Sequence, residues 1–167
     1  MSSVPLYPLQ QVIGIKKKRV DEQERVVKEK KRLLAEEEEK LKKAEEERDK
    51  VKQHRDDKLA QLREALDNAG LNPEKILQMR AYLKIVKANL ETEEEKVKKQ
   101  EEQVKTAEKN VEEAKAVLKQ KELEVDKLKT HRKEWLKEAM KEVERKEAAE
   151  QDELGSLAYI KRQKEQL

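Results

Sequence analysis

From Ile76 to Ala139, apolar residues recur with a seven-residue period. One series reads Ile76, Leu83, Leu90, Val97, Val104, Val111, Leu118 and Val125. A second, three residues further on, reads Met79, Val86, Glu93, Gln100, Ala107, Ala114, Lys121, Leu128 and Trp135. Together they form an a/d stripe well past the roughly three or four heptads that define a coiled coil. A stripe that narrow cannot build a globular core. It requires a partner helix along its length.

The first half of the chain offers one. Ile13, Val20, Val27, Leu34, Leu41, Arg48, Arg55, Leu62 and Ala69 form a matching sevenfold series, with Ala44, Val51, Leu59 and Leu66 widening it. The run Val51, Arg55, Leu59, Leu62, Leu66 departs from strict three-four alternation and predicts a stutter that relaxes the supercoil. Helix 1 is expected over about 9–69, with Gly14 weakening its first turns by roughly 1 kcal/mol relative to Ala. Asp67-Asn68-Ala69-Gly70 ends it, Gly70 suiting a left-handed C′ position. Residues 70–72 form the turn, Asn72 caps helix 2, and Pro73 takes its first position. Helix 2 is expected over about 73–154, where Gly155-Ser156 interrupts it and leaves 155–167 as a tail. Before helix 1, Pro5 and Pro8 make residues 1–8 an extended leader. Their P-x-x-P spacing also fits a polyproline-type docking peptide.

A short turn between two long striped helices implies an antiparallel pairing. One register satisfies both stripes: Leu62 against Met79, Val51 against Leu90, Ala44 against Val97, Leu34 against Ala107, Val27 against Ala114 and Ile13 against Leu128. It sets Arg48 against Glu93, an oppositely charged layer that would fix register more than it stabilises. Lys16, Gln23, Lys30 and Glu37 then face Val125, Leu118, Val111 and Val104, with long stems along the seam and heads in water. The fold class is all-α: a long two-helix antiparallel coiled-coil hairpin with helix 2 overhanging the open end. The overhang beyond Arg132 carries Trp135, Leu136, Met140 and Val143, then Leu157, Tyr159 and Ile160.

Composition agrees. Charged residues make up 47%, Phe is absent, and Gly and Pro occur three times each. Such usage with a heptad period marks long helices rather than a packed domain. The formal net charge is +3, and residues 1–35 hold nine Lys/Arg against four Asp/Glu. The lack of Cys excludes disulfides, a thiol nucleophile and Cys-ligated metal. No apolar run reaches the roughly 18 residues of a membrane span, and no signal-peptide core is visible, so a cytoplasmic protein without membrane insertion is expected.

No catalytic constellation stands out, so no enzyme, cofactor or metal site is expected. His54 and His131 lack metal-ligand spacing and read as solvated helix residues. Glu36 to Glu39 read as a solvated face, since acid–base chemistry needs a cleft. The basic cluster Lys16, Lys17, Lys18 and Arg19 has three readings: a solvated face, contact with an acidic protein surface, or nucleic acid. Interleaved acids and the lack of aromatics in it disfavour nucleic acid. Trp135 falls opposite Leu6, either packing on the leader or serving as a partner contact. Lys16, Lys17, Lys18, Arg19, Trp135, Leu136, Met140 and Val143 are thus the candidate partner-binding residues, and Arg48 and Glu93 the register pair.

Four stretches carry a resemblance: Tyr7 to Val20 (YPLQQVIGIKKKRV), Val26 to Leu34, Ile76 to Val86 (ILQMRAYLKIV) and His131 to Met140 (HRKEWLKEAM). Within them the Tyr7-Pro8 opening, the Met79-Arg80-Ala81-Tyr82 segment and the single Trp135 are not heptad-driven. The chain resembles the YscO-type proteins of type III secretion systems, those of chlamydiae most of all, over nearly its whole length. That family includes the flagellar protein FliJ. The resemblance implies a non-enzymatic stalk, similar in shape to the γ subunit of rotary ATPases, whose terminal helices enter a hexameric secretion ATPase. It implies further partners in the export-gate protein and secretion chaperones, and a place at the cytoplasmic face of the apparatus. On its own the chain is expected to be monomeric. The alternative is a coiled-coil spacer or scaffold protein acting as a dimer through the same stripes.

Overall fold

The structure, a computed structural model, describes residues 4–68, 70 and 72–166. The expectations placed on Met1 to Ser3, Ala69, Leu71 and Leu167 lie outside these. Two helices make up nearly all of the described chain: α1 (Gln10–Asp67) and α2 (Pro73–Glu165). They pack against each other as an antiparallel hairpin.

Local chemistry sets the helix ends. Pro8 cannot donate to a helical ladder, and the ladder starts just after it. The Tyr7 carbonyl accepts the Gln10 N–H at 3.2 Å, and the Leu9 carbonyl accepts the Ile13 N–H at 3.1 Å. At the turn, Asn72 is the N-cap of α2. Its Oδ1 accepts the Glu74 N–H at 3.1 Å and its carbonyl accepts the Lys75 N–H at 3.1 Å. Such a cap contributes about 1 kcal/mol. Gly70 departs from its expected left-handed conformation, as no described glycine has a positive φ. Asn68 closes α1 instead, its side-chain oxygen lying 3.4 Å from the Gly70 amide.

Gly155 does not break α2, which runs on to Glu165. A helical glycine costs roughly 1 kcal/mol, too little to stop a helix whose flanks favour it. Those flanks supply Leu154, Leu157 and Ala158, and Arg162 and Lys164 in the last turn complement the helix dipole.

The packing falls into two units. In the unit Arg25–Ala116, the α2 core residues Leu83, Val86, Leu90, Val97, Val104, Ala107, Val111 and Ala114 are buried, with Val27, Leu62 and Ala65 from α1. The seam is crossed by Gln100 to Glu37 and by His54 to Tyr82, both within about a turn of the expected register. The predicted stutter is absent. Ala65 is 6% exposed and Leu66 49%, so the inward run is Val51, Arg55, Lys58, Leu62, Ala65, in unbroken three-four spacing. The α2 stripe keeps its heptad phase here, and α1 stays in step with it. The larger Leu66 simply falls one residue outside.

The expected register pair is also not formed. Arg48 binds its neighbour Asp49 at 3.1 Å, and Glu93 binds Lys96 at 3.3 Å. Both side chains reach partners at the helix surface, where their charges stay hydrated, rather than meeting across the seam.

In the unit Met1–Glu24 with Val117–Leu167, Tyr7, Ile13 (1% exposed) and Val125 are buried, and so is the polar Gln23. Lys16 lies half-buried along the seam and its ammonium reaches Glu124 at 3.1 Å. Past Trp135 no α1 residue remains to oppose α2. Leu154, Leu157, Tyr159 and Ile160 there are exposed.

Candidate functional site

The candidate residues all lie in the unit formed by Met1–Glu24 and Val117–Leu167. Its focus is an aromatic contact between the leader and α2. Tyr7 is 5% exposed. Its ring meets the Trp135 indole edge-on, with centroids 5.6 Å apart, and tilts against His131 at 5.7 Å. The Tyr7 hydroxyl hydrogen-bonds His131 Nδ1 at 2.5 Å. The register expectation had Leu6 opposite Trp135, one residue away. Leu6 itself is 90% exposed.

Beyond this contact, α2 turns Leu136, Ala139 and Val143 half-buried along one side, with Met140 exposed beside them. Trp135 and these residues share one face at helical spacing. A face of that kind, bearing an aromatic anchor, suits contact with an apolar surface on another protein.

The basic segment divides. Lys16 is engaged by Glu124. Lys17, Lys18 and Arg19 are exposed and make no ion pair among the described residues. Lys17 does border an open groove of about 320 Å³ whose rim carries Asp21, Glu122, Asp126 and Lys129 over Val20 and Val125. Mixed signs along that rim break up the positive potential a phosphate backbone would need. The cationic residues and Trp135 stand at separate stations of this unit. Glu124, which holds Lys16, lies about three turns before Trp135. Further along α1, in the other unit, Arg32 is bound within the helix by Glu29 and Glu36. Those contacts raise the guanidinium pKa further and hold the Glu29 carboxylate below its usual range.

Both histidines are exposed helix residues, as expected, and each also bonds a tyrosine. His131 bonds Tyr7, and His54 Nε2 lies 2.8 Å from the Tyr82 hydroxyl, with the rings edge-on at 5.8 Å. The Lys58 ammonium sits 5.5 Å from the Tyr82 ring centroid, a cation–π contact. The clue was in the register: two of the three tyrosines fall within about a turn of the residues opposing the two histidines. Among the described residues no cluster of three His, Cys, Asp or Glu is placed to hold a metal ion, and no helix is long and apolar enough to cross a membrane.

The sequence model of YscO-like proteins matches residues 4–165. Among solved structures, the chain is similar to a protein of Chlamydia trachomatis described as a YscO homologue. The two are 51% identical with a TM-score of 0.88, over 93% of this chain and 95% of that one. Among curated proteins none matches.

Proposed function

The chain belongs to the YscO-like family, and from that membership we propose that it is a non-enzymatic central-stalk component of a type III secretion apparatus. In this reading it works in the cytoplasm, links a hexameric secretion ATPase to the export gate, and handles secretion chaperones. The observation that carries the reading is the asymmetry of the unit Met1–Glu24 with Val117–Leu167. There α2 outlasts α1, presenting Leu136, Met140 and Val143, while Lys17, Lys18 and Arg19 are exposed on α1 and make no ion pair among the described residues.

Two features on neighbouring helices suit insertion into a ring. An apolar face resists hydration and favours a protein-lined channel. Exposed cations attract acidic side chains and speed association without fixing a single pose. Charges on a hydrated rim are individually weak, so a shaft can engage successive subunits without being trapped by one.

The test is stimulation of the cognate secretion ATPase. The variant K17E/K18E/R19E leaves Lys16 on Glu124 and should keep the wild-type circular dichroism spectrum. Stimulation should fall about tenfold or more, as several rim charges change sign together. A variant that binds and stimulates as the wild type does would remove this segment from the mechanism.

A further inference from the structure

The leader is attached in an unusual way. Of Val4 to Leu9, only Tyr7 is buried. Val4 is 65% exposed, Leu6 90% and Leu9 39%. A segment rich in apolar residues thus buries one side chain, half-buries Pro5 and leaves the others in water. Its backbone is held lightly: Pro5 and Pro8 have no N–H to offer, and the Tyr7 carbonyl accepts the Gln10 N–H at 3.2 Å, while the helical ladder of α1 begins at the Leu9 carbonyl. Residues 4–8 can therefore detach at the cost of that one terminal bond, leaving the ladder from Leu9 onward intact.

The ground on which Tyr7 rests matters as much. It covers Trp135, the aromatic residue of the α2 face that continues through Leu136, Ala139, Met140 and Val143. We propose that Val4 to Pro8 is a displaceable strap, with Tyr7 resting on Trp135 and His131 in the free chain and yielding them when a partner's apolar surface docks on this face. The inference rests on the reading that this face binds the secretion ATPase, and adds how access to it is regulated. A segment held by one anchor belongs to the low-stability end of a structure, where local opening is frequent. The strap lowers apparent affinity by the fraction of time it is closed, and removing its anchor lifts that penalty.

Trp135 is the only tryptophan, so its fluorescence reports the strap directly. Acrylamide quenching and binding to the ATPase hexamer are measured together on the full chain for wild type, Y7A, Y7F and V4A/L6A. In Y7A, quenching should rise severalfold and the Kd should fall about three- to tenfold, with helicity unchanged. Y7F keeps the ring contact but loses the bond to His131, and should lie between wild type and Y7A. V4A/L6A, which alters only outward side chains, should match wild type. Equal or weaker binding by Y7A, with Trp135 more quenchable, would overturn the strap while leaving the docking face standing. Absence of hexamer binding by every variant would overturn the docking face and the strap with it.

Discussion

Across the seam, Gln100 Nε2 donates to both the backbone carbonyl of Glu37, at 3.0 Å, and its carboxylate, at 2.5 Å. The bond to the carboxylate is the main reason Glu37 titrates below its ordinary value near 4.5, with Lys40 helping. A carboxyl with a depressed folded pKa adds stability that is present above the unfolded pKa and lost as pH falls through the folded one. Wild type should therefore gain Tm relative to E37Q as pH rises from about 3 to about 5, and hold a constant difference above that. Q100A should abolish this pH-dependent difference. Thermal melts by circular dichroism across that range decide it, and a difference that grows as the pH is lowered would refute it.

Arg48 and Glu93 oppose each other in sequence register yet bind Asp49 and Lys96. Surface pairs of that kind are worth little, typically under about 1 kcal/mol. In a double-mutant cycle of R48A and E93A, the coupling should be below roughly 0.5 kcal/mol. The cycle of E37A and Q100A should give the larger coupling of the two, since a charged acceptor strengthens the bond. Urea denaturation of the two sets of variants makes the comparison.

The phase of α1 near the turn is open to the same treatment. Leu62 is 8% exposed and Leu66 49%. L62A should cost about 2–4 kcal/mol, the usual range for a leucine lost from a packed seam. L66A should cost well under about 1 kcal/mol. The decisive variant is A65D, which places a carboxylate at a position only 6% exposed and should cost about 2 kcal/mol or more. A stability order with L66A below L62A would restore the stutter that the apolar pattern suggested.

These residues show how far the heptad signal reaches. Pairing and direction were legible because they are set by the two stripes along their whole length, whereas the crossings Gln100–Glu37 and His54–Tyr82 lie about a turn from the layer-by-layer register. The N-cap at Asn72 and Pro73 was legible because its chemistry is local. What escaped was decided by single side chains. Ala65 was passed over for the larger Leu66, although phase outranks size once the partner stripe is fixed. Arg48 and Glu93 were paired by position, whereas long charged side chains settle where water remains. The Tyr7–His131 and Tyr82–His54 contacts depend on rings reaching about a turn along the seam, which a layer-by-layer pairing does not follow. The Trp135 contact with the leader was anticipated in kind but placed on Leu6 rather than Tyr7.

The glycines test the remaining difference, the continuity of the helices. Gly14 and Gly155 both lie inside helices, neither has a positive φ, and a Cβ added at either meets nothing within 4 Å. Alanine therefore fits both sites without strain, and it restricts the unfolded chain more than glycine does. G14A and G155A should each stabilise their helix by about 0.5–1 kcal/mol. Their readouts differ. Gly14 lies beside Ile13, the most buried side chain, so G14A should raise the Tm of the cooperative transition. Gly155 lies where α2 has no partner, so G155A should slow amide exchange between Leu154 and Ala158 without moving that Tm much. A break in α2 at Gly155 would instead leave exchange beyond it fast in both proteins.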